Sequence, residues 1–216
     1  MRPTDERPRV AYQGAPGAFG EDAIVRYWGG RAEPVAAPTF AAAVDAVRAG
    51  SARYAVLPVW NSTIGRIAEA WDAIAADRGA AVVVSAVGEI TIPVRHALLC
   101  RPGVCVDAIT AVLGHPAALA QCANTLAARG VRAIRADDSA SAARALGAAA
   151  TGVPLRVPGS DAVVDPLRTA TLAPVGAAAR YRLAVLSCGV QDRADNRTSF
   201  LVVQAVGESG IGNRNS

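Results

Sequence analysis

The sequence contains no lysine, since all 22 of its basic residues are arginine. It has two histidines, His96 and His115, and ten aromatic residues (three Trp, four Tyr and three Phe) among 216. Without lysine there is no side-chain amine for pyridoxal phosphate, a Schiff base or a P-loop. Two histidines exclude a multi-histidine metal centre and leave a Ser-His-Asp triad a choice of only two imidazoles.

Cysteine pairs and long apolar runs are also missing. The four cysteines, Cys100, Cys105, Cys122 and Cys188, form no CxxC pair, so we expect reduced, buried thiols and no metal site. No apolar run approaches the roughly 18 residues of a membrane span. The N-terminus, MRPTDERPRV, lacks the apolar core of a signal peptide. These absences predict a cytoplasmic protein that does not bind a membrane.

The charge balance restricts the partners further. The net charge is +4, and the arginines are scattered and form no basic stripe interleaved with aromatic residues. This pattern argues against nucleic-acid binding and favours a small anionic ligand. Hydrophobic residues make up 52% of the chain and charged residues 19%, which is typical of a folded globular protein.

Short β-branched runs alternate with longer alanine-rich stretches, which predicts an α/β fold. We expect strands at Arg9–Gln13, 54–59, Thr169–Ala173 and 198–206. Helices are expected at Phe19–Trp28, 40–49, 117–129 and 139–150 (capped by Ser139), with another starting near Ile64. Residues 82–100 are expected to be extended, with breaks at Gly88 and Pro93, and residues 151–168 to form a mobile loop. Two α/β lobes of this kind predict a ligand cleft between them.

Short polar residues stand at the ends of several expected strands. Asn61, Ser62 and Thr63 follow a buried strand, where they either hold a ligand carboxylate or simply cap a helix. His115 lies in a similar turn and is either an imidazole in the cleft or a turn residue. Thr198 opens the last strand, where its hydroxyl is either a proton donor or an ordinary strand threonine.

Six segments together carry a resemblance to a known family. They are AYQGAPGAFGEDA, YAVLPVWNSTIGRI, GEITIPVRHALL, VLGHPAALAQC, YRLAVLSCGVQD and NRTSFLVV. In order and approximate spacing they resemble the prephenate dehydratase family, over residues 9–206. No one segment is specific by itself, but six in the same order are hard to obtain by chance.

The resemblance implies a fold and a reaction. The fold is two α/β lobes with a central cleft, similar to type 2 periplasmic binding proteins, with lobe one at 9–90 plus 189–206 and lobe two at 91–188. Residues 207–216 are expected to be a disordered tail, without the ACT regulatory domain common in the family. The implied reaction converts the dianion prephenate to phenylpyruvate in phenylalanine biosynthesis, with no cofactor and no metal. A homodimer or tetramer is implied as well.

The resemblance also assigns roles to residues. Thr198 matches the threonine of a Thr-Arg-Phe motif, which donates a proton to the departing hydroxyl, and Phe200 matches the phenylalanine that lines the ring site. Asn61, Ser62 and Thr63 match a polar turn beside the substrate, with His115 as a weaker candidate.

Four positions depart from the family pattern. Trp60 replaces the glutamate of a Glu-Asn-Ser turn, Gly114 and Pro174 replace serines, and Ser199 replaces the arginine of the motif. Arg197 lies on the same strand face as Ser199, so we hypothesise that it supplies the missing guanidinium. The alternatives are a non-aromatising prephenate decarboxylase and an inert ligand-binding relative. The retained Thr198 favours a dehydratase.

Overall fold

The computed structural model describes residues 7–76 and 82–206 of the chain, which divides into two compact units. Unit 1 comprises Met1–Gly14, Gly20–Ile92 and Arg197–Ser216, and unit 2 comprises Ala15–Phe19 and Pro93–Asn196. Residues 189–196, expected in lobe one, group with unit 2 instead. The disordered tail expected at 207–216 lies outside the described residues.

Strands and helices alternate along the chain. In order they are β1 (Arg9–Gln13), α1 (Phe19–Trp28), β2 (Glu33–Ala37), α2 (Phe40–Arg48), β3 (Tyr54–Asn61), β4 (Gly65–Arg66), α3 (Ala68–Ala75), β5 (Val83–Pro93), β6 (Ala97–Cys100), β7 (Ala111–Gly114), α4 (Pro116–Gln121), α5 (Ala123–Ala128), β8 (Arg132–Arg135), α6 (Ser139–Ala148), β9 (Leu155–Arg156), β10 (Val163–Val164), β11 (Thr169–Ala173), α7 (Gly176–Tyr181), β12 (Ala184–Cys188) and β13 (Arg197–Val206). Single 3₁₀ turns precede β7 and β11. Among the described residues, no helix is long and apolar enough to cross a membrane.

Unit 1 is built on one sheet with the strand order β2-β1-β3-β13-β5, and β4 pairs with β3. Strands β1, β2 and β3 are parallel, whereas β13 runs antiparallel to β3. The apolar residues of α2 and α3 pack on the sheet in one core that includes Ala11, Val44, Leu57 and Val203. Helix α2 begins there because the Thr39 hydroxyl oxygen accepts a hydrogen bond from a backbone N–H in its first turn.

Unit 2 has a second sheet with the strand order β12-β6-β11-β7-β8. Strands β7, β8 and β11 are parallel, and β6 runs antiparallel to β11 and β12. Buried leucines line its core on both faces, among them Leu98, Leu113, Leu146 and Leu172. The α/β class predicted from the sequence is confirmed in both units. The cleft between lobes stays a prediction.

Unit 2 also corrects three local expectations. The helix expected at 117–129 is two helices, because the backbone at Cys122 leaves the helical conformation (φ −119°, ψ 13°). The cap of α6 is Asp138 and not Ser139, because the Asp138 carboxylate accepts the N–H of Ser141 at 2.7 Å. Residues 151–168 contain the β9–β10 hairpin, and the side chains of Val157 and Val164 pack in the core. The expected loop is therefore interrupted by a short hairpin, and its mobility stays a prediction.

Two further expectations are corrected in unit 1. Strand β2 was not expected, because its sequence, EPVAA, is rich in residues with low β propensity. Strand β5 runs unbroken through Gly88, where a break was expected. A side chain at Gly88 would collide with the hydroxyl of Tyr27, so the glycine admits a close contact rather than ending the strand.

Candidate active site

The expected proton donor lies in unit 1, at the start of the last strand. Thr198 pairs directly with Asn61 across the antiparallel strands β13 and β3. Asn61 is 3% exposed and Thr198 is 7% exposed. The side-chain nitrogen of Asn61, Nδ2, donates a hydrogen bond of 2.9 Å to Thr198 Oγ1. The sheet therefore joins two residues that are far apart in sequence into one buried polar pair.

The other bonds of Asn61 fix the orientation of its amide. Its Oδ1 atom accepts the backbone N–H groups of Thr63 at 2.9 Å and Ile64 at 3.2 Å. Its Nδ2 atom also donates to the carbonyl of Arg197 at 3.1 Å. Oxygen and nitrogen cannot be exchanged in this arrangement, because the oxygen faces two donors and the nitrogen faces a carbonyl. The amide must donate to Thr198.

This direction determines what the Thr198 hydroxyl can do. A hydroxyl has one hydrogen to donate, and here its oxygen already accepts a hydrogen bond. Among the described residues, the Thr198 hydroxyl donates to no acceptor. Its hydrogen is therefore available to a ligand, and the donating amide stabilises negative charge that develops on the oxygen.

The Asn61 bonds also explain why no helix starts at Ile64. The side chain of Asn61 forms an Asx turn with the next residues, which competes with helix formation. Gly65, at φ 77°, then turns the chain back as β4, and α3 starts only at Ala68. Ser62 makes two hydrogen bonds to Arg197 of β13, each of 2.9 Å. Its N–H donates to the Arg197 carbonyl, and its Oγ accepts the Arg197 N–H.

The remaining expected residues of β13 face different surroundings. Phe200 is 2% exposed, so it offers almost no surface to a substrate ring. Arg197 is exposed, and Ser199 shares a hydrogen bond of 2.7 Å with the hydroxyl of Thr91 on β5. By strand alternation, Arg197 and Ser199 point away from the side that Thr198 occupies. Trp60 is the cross-strand partner of Ser199.

His115 lies in unit 2 and is exposed. It caps α4, because its Nδ1 atom accepts the N–H of Ala117 at 3.2 Å, and its own N–H donates to Ser139 Oγ at 3.4 Å. Of the two readings left open by the sequence, the geometry favours the turn residue. Gly114 ends β7 against Leu119, where an added Cβ would lie 3.3 Å from the leucine side chain.

The other histidine had no expected role, yet it is the centre of a buried polar cluster in unit 2. His96 is 3% exposed, and its Nε2 atom lies 2.8 Å from Oε1 of Gln121. Its backbone N–H donates to Gln191, and its ring packs edge-on against Phe19. Burial lowers the pKa of His96, against the opposing effect of Gln121, so the ring is neutral at neutral pH. The sequence held only weak signals for this cluster, in the segments VRHALL and ALAQC.

The described residues contain no group of three His, Cys, Asp or Glu side chains that could hold a metal ion. Two surface depressions, of about 300 and 410 Å³, lie against other parts of the two sheets. Neither depression is lined by an expected site residue. The Asn61–Thr198 pair is therefore the best-supported candidate for chemistry.

The sequence model described as prephenate dehydratase matches residues 10–208. The chain belongs to the prephenate dehydratase family. Arogenate dehydratase 1 of Petunia hybrida is 37% identical over 198 residues, covering 90% of this chain. Arogenate dehydratase/prephenate dehydratase 1 of Arabidopsis thaliana is 35% identical over 199 residues, covering 92%. The chain spans only 42% and 45% of the lengths of these two relatives.

Solved structures agree with the family assignment. The prephenate dehydratase of Arthrobacter aurescens, in complex with L-Phe, superposes with a TM-score of 0.75 at 26% identity, covering 96% of this chain and 63% of that one. A protein described as a novel type of quorum-quenching acylase gives a TM-score of 0.74, also at 26% identity, covering 91% and 63%. Structures with different names are thus equally similar to this chain, so structural likeness alone does not select an activity.

Proposed function

We propose that the chain is a dehydratase that converts prephenate to phenylpyruvate, carbon dioxide and water. One observation carries the proposal, namely the direction of the hydrogen bond between Asn61 and Thr198. Because the amide donates to the Thr198 oxygen, the hydroxyl hydrogen is left for a departing group. Membership of the family supports the substrate class, and the geometry supports the acid that the reaction requires.

The reaction breaks two bonds of prephenate. The bond between the ring and its carboxylate breaks to release carbon dioxide, and its electron pair enters the ring. The ring becomes aromatic as the carbon–oxygen bond on its far side breaks. The departing hydroxyl leaves as water, with a proton that passes through the Thr198 hydroxyl and is replaced from solvent. Electrons balance within the substrate, so the proposed reaction needs no redox cofactor.

For a substrate carboxylate we propose Thr63 rather than the whole turn after β3. Asn61 uses its amide to hold Thr198, and Ser62 ties the turn to β13. Thr63 is exposed, and among the described residues its hydroxyl has no hydrogen-bond partner. It is therefore the member of the turn that is free to donate to a carboxylate. We give His115, Arg197, Ser199 and Phe200 no direct part in the bond-breaking step.

The main alternative is removal of carbon dioxide alone, with the ring hydroxyl retained. The changed residues Trp60 and Ser199 motivate it, because they pair with each other across β3 and β13 at the register position next to Asn61 and Thr198. A decarboxylase that keeps the hydroxyl has no leaving group to protonate, however. The donating geometry at Thr198 therefore favours dehydration.

The amino-acid counterpart of prephenate is a second candidate substrate. Several relatives are named arogenate dehydratases, and arogenate carries an amino group where prephenate has a keto group. Its dehydration would give phenylalanine directly. The relatives from Arabidopsis are named chloroplastic, and the cytoplasmic location expected for this chain stays a prediction.

The test is to incubate the purified 216-residue chain with prephenate and, separately, with arogenate, and to identify products by absorbance and mass spectrometry. We expect phenylpyruvate from prephenate. Thr198→Ala should lower kcat by about 100-fold or more. Thr198→Ser keeps the hydroxyl and should retain most of the activity. Circular dichroism of each variant verifies that it folds.

Each other outcome contradicts part of the proposal. A dihydro product that keeps its hydroxyl would show a decarboxylase. Conversion of arogenate with no conversion of prephenate would show that arogenate is the substrate. The proposed role of Thr198 would then be unaffected. Unchanged prephenate and arogenate would point to an inert ligand-binding relative. Thr198→Ala with wild-type kcat would remove Thr198 from the reaction.

A further inference from the structure

One of the two surface depressions, the one in unit 2, has a lining that the proposed reaction does not use. Its volume is about 300 Å³, at the lower end of the range for small-molecule sites. Strand β6, the 3₁₀ turn before β7 with the residue after it, and the connection between α5 and β8 form its wall. The lining residues are Leu98, Val106, Asp107, Ile109, Arg129 and Val131. A site of this size fits a molecule no larger than an amino acid.

The floor of the depression is apolar. Leu98 and Ile109 are buried and belong to one apolar core of unit 2. Val131 packs against the same core. Val106 is 41% exposed, so a ligand that covers it removes apolar surface from water. The depression therefore favours a ligand with an apolar part.

Two opposite charges stand at the rim of this floor. Asp107 and Arg129 both line the depression, and both are exposed. Within the described part of the chain, neither side chain makes a hydrogen bond or an ion pair. Elsewhere, Arg48 pairs with Asp45. The carboxylate of Asp107 and the guanidinium of Arg129 are therefore both available to a single ligand.

The second depression, in unit 1, lacks this combination. Its lining residues are Val47, Gly50, Ala52, Arg53, Gln204 and Ala205, none of which carries a carboxylate. The guanidinium carbon of Arg53 lies 5.4 Å from the centroid of the Tyr54 ring, so this cation already has an aromatic partner. Opposite charges around an apolar floor thus distinguish the depression of unit 2.

We propose that the depression of unit 2 binds a free α-amino acid with an apolar side chain. Arg129 holds the ligand carboxylate through two parallel hydrogen bonds, and Asp107 accepts hydrogen bonds from the ligand ammonium group. The apolar side chain covers Val106 and lies on Leu98 and Ile109. An apolar acid without the amine would leave Asp107 unpaired, and an apolar amine would leave Arg129 unpaired. The two charges therefore select a zwitterion.

The test is a titration of the isotope-labelled full chain with L-leucine, followed by the NMR shifts of backbone amides. Leucine is the probe because it is not aromatic, so binding at a site for prephenate does not confuse the result. We expect saturable shifts at the amides of 106–109 and 129–131. The dissociation constant should be on the order of 1 mM, because both charged contacts are exposed to water. No turnover is measured, so the outcome does not depend on the proposed dehydratase activity.

Two variants separate the two charges. Arg129→Gln removes the guanidinium and should raise the dissociation constant for L-leucine about tenfold. Arg132→Gln is the matched control, because Arg132 is an exposed arginine three residues later that does not line the depression. Asp107→Asn should weaken L-leucine about threefold or more but should not weaken isocaproate, which is leucine without its amine. Circular dichroism verifies that each variant folds.

Three outcomes would overturn the proposal. The first is the absence of saturable shifts at the amides around the depression. The second is isocaproate that binds the unaltered chain as tightly as L-leucine, since Asp107 would then select nothing. The third is an equal loss of L-leucine binding in Arg129→Gln and Arg132→Gln, which would show a general effect of charge instead of a contact with Arg129.

Discussion

Two turns that each follow a buried strand have different structural roles. The turn at Asn61–Ile64 follows β3 in unit 1, and the turn at Gly114–Ala117 follows β7 in unit 2. In the first, Asn61 is 3% exposed and bonds across the sheet to Thr198. In the second, His115 is exposed and accepts a hydrogen bond from a backbone N–H two residues away.

The difference lies in where the hydrogen-bond partner comes from. The partners of His115 include its own helix, so the turn serves local structure. The partner of Asn61 is 137 residues away in sequence, and the bond exists only because β13 returns beside β3. A buried long-range bond holds a hydroxyl in a defined direction, which is what an acid in an active site requires.

The largest effect on activity is expected for Asn61→Asp, which removes the amide that donates to Thr198. A carboxylate at position 61 accepts hydrogen bonds and donates none, so the Thr198 hydroxyl would turn its hydrogen inward. We expect kcat for prephenate to fall by about 100-fold. Ser62→Ala is the control, since it removes a bond to β13 without changing the direction at Thr198. Wild-type kcat in Asn61→Asp would show that the direction of this bond is irrelevant to catalysis.

Asp22→Asn tests how titratable groups differ between the units. Burial raises the pKa of Asp22 from 3.8 to about 6, against Arg26, which lowers it, and with Glu21, which raises it further. The folded state therefore binds this proton more tightly than the unfolded state, and stability falls as pH rises from 3.8 towards 6. In unit 2, burial lowers the pKa of His96, so there the unfolded state binds the proton more tightly. Stability therefore falls as pH falls below 6.5.

The Asp22→Asn substitution should thus stabilise the protein by about 1 to 2 kcal/mol at pH 7, and much less near pH 4. Urea unfolding at the two pH values measures the difference. Glu33→Gln is the control, because the Glu33 side chain is 60% exposed and should respond little at either pH. Equal effects of Asp22→Asn at both pH values would contradict the raised pKa.

His115→Ala tests the turn of unit 2, where His115 caps α4. The substitution removes an N-cap, so it should cost about 1 kcal/mol of stability. We expect kcat to change by less than about twofold, since the geometry gives His115 no catalytic part. His115→Asn should restore the stability, because asparagine caps helices well. A large loss of kcat that asparagine does not restore would return the imidazole to the active site.

The same contrast explains which parts of the structure could be predicted from sequence. Strand β1 and helix α1 were expected with the observed bounds, because their periodicity is local. Thr198 was singled out through the resemblance, but its pairing with Asn61 depends on the order of strands in the sheet. Local reasoning gave Asn61 either a ligand carboxylate or a helix cap, whereas in the structure its amide oxygen forms an Asx turn and its amide nitrogen bonds to β13. The His96 cluster was missed for the same reason, since its members come from three separate segments.

Arg197→Ala carries the smallest expected effect. The sequence suggested that Arg197 replaces the guanidinium missing at Ser199, since both share one strand face. That face, however, is opposite to the side of Thr198, and Ser199 bonds there with Thr91. We therefore expect kcat/KM for prephenate to fall by less than about threefold. A rise in KM of about tenfold or more, with kcat unchanged, would instead show that the Arg197 side chain binds a substrate carboxylate. In that case Arg197→Lys should restore binding only in part, because an ammonium cannot form the bidentate pair.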